Sequence, residues 1–298
     1  MVRIAIEPNV IRLEPPATTQ SPMNRIDALF ARLRSEGRRA LMPFITAGDP
    51  DLVTTAALIR AMVDRGAHIV EVGIPYSDPI ADGPVISASY HRALTNGVKV
   101  SQIFQMLRTL RAETSEDKLG QTPLVTMVSY SIIHRTGVDA YLSQAGESGV
   151  DGLIVPDLPV EEAASLLKVV TARGLKLIQL VTPTTPRDRA LKIAETTTGF
   201  LYYVSVAGIT GERRSLPPDL VANVGWLRAQ TGLPICIGFG ISTADHVREL
   251  APVADGLIVG SALVRRLAEA SEMPREELVE KIAGMVEELA TALEGMIF

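Results

Sequence analysis

One carboxylate inside an apolar run is the first feature that could do chemistry. Glu71 stands between Val70 and Val72 in the run 68–73. If that run is a strand, the valines face one side and Glu71 the other. A charge buried there is costly unless it is paired or used. Burial also raises a carboxyl pKa, which suits a group that both gives and takes a proton. On this residue alone two readings stand: proton transfer, or an ion pair to a neighbouring strand. The loop at 74–84 favours the first. It carries Pro75, Pro79 and Pro84 and two further carboxylates, Asp78 and Asp82. Prolines stiffen a loop that must hold a group in place. Carboxylates facing one cavity from a single strand-loop unit make an acid–base pair. Metal binding by Glu71, Asp78 and Asp82 is the rival. The nearest histidine, His68, lies at the start of the run and away from the loop.

A second set of residues could hold an anion. Glycines cluster late in the chain, at Gly208 and Gly211, Gly238 and Gly240, and Gly260 followed by Ser261. Such turns let the backbone expose N–H groups. Ser261 would open a helix whose positive end favours negative charge. One Gly-x-Gly means little more than a turn. Three such turns after consecutive strands point to phosphate. Thr210 could close over the site or be a solvated turn residue.

These groups need elements to position them. Eight short apolar runs span 40–46, 68–73, 124–128, 152–155, 175–181, 200–205, 234–238 and 256–260. Near-continuous apolar runs mark strands covered on both faces. Helical periodicity fills the gaps, as in Leu52, Ala56, Ile59 and Val63 or Ile103, Leu107 and Leu110. Asp51, Ser101, Asp188 and Ser242 are expected at caps or in first turns. Gly66, Gly149 and Gly174 are expected just past helix ends. A helix over 23–36 precedes the first strand, and a long amphipathic helix follows Pro274. An α/β architecture results, either a doubly wound sheet or a (β/α)8 barrel. The late glycine turns favour the TIM barrel, whose phosphate sites follow its last strands. The expected organisation is a flexible extension over 1–22 and one barrel domain over 23–298, with extra helices at both ends. No internal repeat beyond the βα alternation is evident.

Composition removes several function classes. The chain has 298 residues, 47% hydrophobic and 21% charged, with a net charge of −5. Wholesale disorder is excluded. No basic cluster suggests nucleic acid or an anionic membrane surface. No apolar run reaches the roughly 18 residues of a membrane span. The N-terminus lacks the apolar core of a signal peptide. The single cysteine, Cys236, rules out internal disulfides and fits the cytoplasm. It is expected as a buried packing residue rather than a nucleophile. His91, His134 and His246 lack metal-ligand spacing. Asp157 follows the fourth run and reads either as a site or gating residue or as a helix cap. Trp226 reads as packing. A Schiff-base aldolase would need a lysine facing the cavity. Only Lys176, near a strand's start, is available.

Taken together, the motifs at 41–50, 71–84, 155–162, 208–211, 238–242 and 260–261 resemble the tryptophan synthase α subunit family. The resemblance runs from about Met23 to near the C-terminus. It implies reversible retro-aldol cleavage of indole-3-glycerol phosphate to indole and glyceraldehyde 3-phosphate, within L-tryptophan biosynthesis. Glu71 matches the family's general acid and base. Asp82 matches the aspartate that binds the indole N–H. Phe44 and Ile86 match apolar contacts to indole, and Tyr202 and Phe239 match other substrate contacts. Gly211, Gly240, Gly260 and Ser261 match the phosphate-binding backbone. Thr210 matches a threonine that approaches the catalytic aspartate on loop closure. No metal or cofactor is implied in this chain. Pyridoxal phosphate is expected in a partner β subunit, joined as an α2β2 complex. Two departures stand out. Residues 129–132 read Ser-Tyr-Ser-Ile where the family often has Tyr-Tyr-Asn-Pro, beside the active site and the β contact surface. Ser205, Val206 and Ala207 precede Gly208 where many members have arginine or threonine before the glycine. The alternatives are a stand-alone indole-3-glycerol phosphate lyase, a non-catalytic phosphate-ligand-binding barrel, or another sugar-phosphate isomerase or aldolase barrel.

Overall fold

The strand runs close into a parallel barrel. The computed structural model describes residues 23–79, 83–114, 117–204, 219–238 and 240–294. The expected extension over 1–22 lies outside the described residues. The strands are β1 (Ala40–Thr46), β2 (Val70–Gly73), β3 (Leu124–Met127), β4 (Gly152–Ile154), β5 (Lys176–Ile178), β6 (Leu180–Val181), β7 (Leu201–Val204), β8 (Ile235–Gly238) and β9 (Gly256–Val259). Their order is β5-β4-β3-β2-β1-β9-β8-β7-β6. Every pairing is parallel.

The expected fifth strand is divided at Gln179. Its two halves still form one stave, since β5 pairs with β4 and β6 with β7. The reason for the break is polar. Gln179 is buried, and its Nε2 donates to Thr196 O at 2.7 Å and Thr196 Oγ1 at 2.8 Å. It thereby satisfies a carbonyl at the end of the helix Arg187–Glu195, where acceptors lack intrahelical partners. The backbone continues the barrel here, with Tyr202 N donating to Gln179 O at 3.0 Å.

Most helix signals hold. Asp51 caps Leu52–Asp64 by accepting from Thr54 N at 2.7 Å. Gly66, Gly149 and Gly174 follow helix ends with φ of 105°, 76° and 71°. Ser101 and Asp188 lie in first turns. Ser242 does not cap. Thr243 takes that role, accepting from His246 N at 3.3 Å. The first helix is Arg25–Ser35, started by Asn24, and the last is Arg275–Glu294.

An internal repeat is present, against expectation. Asp-Gly-Leu-Ile-Val recurs at 151–155 and 255–259, at the fourth and eighth staves of the barrel. Both aspartates do the same work. Asp151 Oδ2 accepts from Leu124 N at 2.9 Å, and Asp255 Oδ2 from Ile235 N at 2.8 Å. Their carbonyls accept from Lys176 N and Ala40 N, each at 3.0 Å. Each residue thus ties the strand before it to the strand after it. Asp151 also carries a buried ion-pair hub. It meets Arg25 and Arg111, each at 2.9 Å, with side-chain exposure of 5% for Asp151 and 9% for Arg111. Burial lowers the Arg111 pKa to about 10, opposed by the Asp151 charge.

The N-terminal helix covers this end of the barrel. Ile26 is fully buried, its Cδ1 3.0 Å from where a Cβ on Gly152 would stand. Asp27 ion-pairs with Lys176. Lys176 is therefore occupied at the N-terminal face, away from the rim where barrels place their chemistry. His68 sits before β2, its Nδ1 accepting from Leu41 N at 3.1 Å. Burial, then the charges of Arg38, Lys118 and Arg32, lower its pKa to about 4.

Candidate active site

Strand register explains which side chains meet. Register partners in a parallel sheet point to the same face. Phe44 pairs with Glu71, and Glu71 with Val125. Gly73 pairs with Met127. Phe44, Glu71, Gly73 and Met127 therefore share the inner wall. Across the barrel, Tyr202 pairs with Cys236 and Gly238 with Ile258. Glu71 is fully buried.

Two glycines make room for two aromatic rings. A Cβ on Gly73 would stand 2.5 Å from Phe44 Cζ and 2.9 Å from the Tyr90 hydroxyl. A Cβ on Gly238 would stand 2.3 Å from the Tyr202 hydroxyl and 2.6 Å from Cζ. The arrangement is the same twice. An aromatic leans toward the rim, over the glycine one inward step past its register partner. Gly238→Ala is expected to displace Tyr202. Overpacking of this kind costs about 1–3 kcal/mol. The variant should show a lower apparent Tm and at least a tenfold loss of kcat/KM, read by thermal melts and product release. Unchanged values of both would contradict the close approach.

These residues form one cleft at the C-terminal ends of the strands. Its lining is Phe44, Glu71, Ile86, Met127, Tyr202, Gly240, Ile258, Gly260 and Ser261. The cleft has a volume of about 40 Å³ and opens to the outside. One end is aliphatic and aromatic, with a carboxylate on its wall. The other end is backbone-rich. Gly240 has φ 83°, a conformation that favours glycine. Gly260 precedes the helix Ser261–Leu267, and Leu263 N and Val264 N donate to its carbonyl at 2.9 and 3.0 Å. The first N–H groups of a helix lack intrahelical acceptors and attract anions. The lining suits a ligand that carries both a planar apolar group and an anion.

Seven site residues expected from the sequence thus converge: Phe44, Glu71, Ile86, Tyr202, Gly240, Gly260 and Ser261. Met127 and Ile258 were not expected, because only register shows which residues of their strands face inward. Asp82, Thr210, Gly211 and Phe239 lie outside the described residues. Asp78 is exposed, accepts from Ser77 Oγ at 2.7 Å, and lines an outer groove instead of the cleft. Among the described residues, no three His, Cys, Asp or Glu side chains are grouped for a metal.

Asp157 braces the start of a helix other than its own, one whose N-cap is Ser129. Its Oδ2 accepts from Ser129 Oγ at 2.6 Å and its Oδ1 from Tyr130 N at 2.7 Å. It therefore anchors the start of Tyr130–Thr136. Cys236 is fully buried, and burial, then the charges of Asp255 and Glu71, push its thiol pKa well up. That disfavours the thiolate a nucleophile needs. His91 and His134 are exposed, and His246 Nδ1 accepts from Ser242 N at 3.4 Å. Trp226 is partly buried, with Arg187 Cζ 4.8 Å from its ring centroid.

The chain is similar to known proteins along most of its length. The family model described as tryptophan synthase alpha chain matches residues 30–294. A tryptophan synthase alpha chain from Rhodopirellula baltica is 56% identical over 266 residues, 89% of this chain and 95% of its own. Among solved structures, tryptophan synthase subunit alpha from Legionella pneumophila has a TM-score of 0.82 at 36% identity, covering 92% of this chain and all of that one. A chain of the tryptophan synthase complex from Pyrococcus furiosus has a TM-score of 0.75 at 37% identity, covering 86% of this chain and 98% of that one. A barrel with an acid in its cleft, matched in sequence along nearly its whole length, belongs to the tryptophan synthase alpha chain family.

Proposed function

We propose that this carbon–carbon lyase cleaves indole-3-glycerol phosphate to indole and glyceraldehyde 3-phosphate, with Glu71 and Asp82 as its catalytic pair. The convergence of Phe44, Glu71, Ile86, Tyr202, Gly240, Gly260 and Ser261 on one cleft carries the reading. Glu71 gives a proton to indole C3 and then takes one from the glycerol hydroxyl. The O–H electron pair becomes the aldehyde C=O. The pair of the broken C–C bond returns to the ring. Glu71 ends as it began, and nothing is oxidised or reduced. Asp82 accepts the indole N–H bond, which strengthens as positive charge develops on the ring. Phe44 and Ile86 hold the indole plane, and Tyr202 and Phe239 complete the substrate contacts. Gly211, Gly240, Gly260 and Ser261 bind phosphate through backbone N–H groups, and Thr210 closes toward Asp82. Proton transfer of this kind calls for no cofactor in this chain. Pyridoxal phosphate is assigned to the β subunit.

The partner in this reading is that β subunit, in an α2β2 complex in the cytoplasm. Among the described residues no helix is long and apolar enough to cross a membrane. An outer groove of about 970 Å³ lies beside the cleft, lined by Tyr76, Asp78, Lys99, Ile132, Arg135 and Asp157 among others. It includes Ser129, Ser131 and Ile132, from the segment that the resemblance sets beside the β contact surface, and we place the β subunit there. Adding a β subunit to the purified chain is expected to raise the rate of indole release at least tenfold, about 1.4 kcal/mol in barrier. Equal rates with and without it would favour a stand-alone lyase.

A further inference from the structure

Asp49 ends the motif that follows β1, and it is buried to 1% exposure. Its carboxylate accepts two bonds from one guanidinium, Arg92 Nε at 3.0 Å and Nη2 at 2.6 Å. Ser89 Oγ donates to the same carboxylate. Both partners lie on the helix Pro84–Thr95. Asn96, at the end of that helix, donates to Pro50 O at 2.8 Å. The loop after β1 is thus fastened to this helix at several points. A buried carboxylate loses several kcal/mol unless it is paired. A two-pronged contact also fixes direction, which a single point charge does not.

The two parts so joined are two walls of the cleft. β1 carries Phe44, and the helix carries Ile86 one turn before Ser89. Both residues line the cleft beside Glu71. We infer that Asp49 is a positioning residue: through Arg92 and Ser89 it sets Ile86 against Phe44 and so fixes the slot for the indole plane. This rests on the function proposed above. It makes no claim on the anion end of the cleft, which begins at Gly260 after β9, the neighbour of β1.

The test uses the full chain in the reverse direction, condensing indole with glyceraldehyde 3-phosphate. Asp49→Asn is expected to raise KM for indole about tenfold and to leave KM for glyceraldehyde 3-phosphate within twofold. Arg92→Lys keeps the charge and loses the fork, so it should give an intermediate rise and serves if Asp49→Asn folds poorly. In an Ile86→Ala background, Asp49→Asn should add less than twofold. Wild-type-like KM values for both substrates in both variants, with only a lower Tm or less active protein, would overturn the inference. So would an equal rise in both KM values, or a full tenfold effect in the Ile86→Ala background. A wild-type chain that does not condense the two substrates would instead overturn the proposed function, and the inference with it.

Discussion

Glu71→Gln is expected to lower kcat for indole-3-glycerol phosphate cleavage by about three orders of magnitude. General acid–base catalysis contributes 10²–10⁴-fold, and here one group performs both transfers. The glutamine amide fills the same space and still accepts a hydrogen bond. It cannot deliver the proton to C3 or collect one from the hydroxyl. The fold should survive. Glu71 is fully buried, and glutamine keeps its volume and much of its hydrogen-bonding capacity. An apparent Tm within a few degrees of the parent is the expected companion result. KM should change little, because the phosphate and indole contacts remain. Near-normal turnover would contradict the catalytic assignment. It would return Glu71 to the role of a structural group in a ligand-binding barrel.

Asp151→Ala is expected to produce the largest loss of stability. The change leaves Arg111, only 9% exposed in its side chain, without its carboxylate. It also strips Leu124 N of its side-chain acceptor. Breaking a buried pair from one side costs about 3–5 kcal/mol. A shift in apparent Tm on the order of 10 °C follows, read by circular dichroism on the full chain. Asp151 lies at the N-terminal face, so the folded variant should keep its KM for indole-3-glycerol phosphate. A Tm within a degree or two of the parent would show that the hub contributes little.

The sequence made some of this legible and hid the rest for physical reasons. Glu71 stood out because a carboxylate in a continuous apolar run conflicts with its surroundings, and such conflicts concentrate at functional sites. The βα alternation was readable because buried parallel strands are uniformly apolar. That same uniformity hid which residues of each strand face inward. Met127 and Ile258 were therefore missed, as was the fit of Phe44 over Gly73 and Tyr202 over Gly238. Each of those depends on register with a neighbouring strand. Asp157 sat at the rim as expected, yet its partner lies 27 positions away at Tyr130. The division at Gln179 came from a tertiary bond to Thr196 that local pattern cannot show. The repeated Asp-Gly-Leu-Ile-Val was visible in the letters. Its meaning emerged only when both aspartates proved to bridge strands at opposite points of the barrel. Asp49 followed the same rule, since its role is set by Arg92 on another element.

The most direct test of the proposed lyase activity is product release from indole-3-glycerol phosphate by the purified full chain. Indole and glyceraldehyde 3-phosphate are quantified together, with Glu71→Gln in parallel. The expected result is equimolar formation of both products by the parent chain, with the variant slower by about three orders of magnitude. No indole from the parent chain, alone or with a β subunit added, would contradict the proposed function. Equal rates from parent and variant would contradict the role given to Glu71.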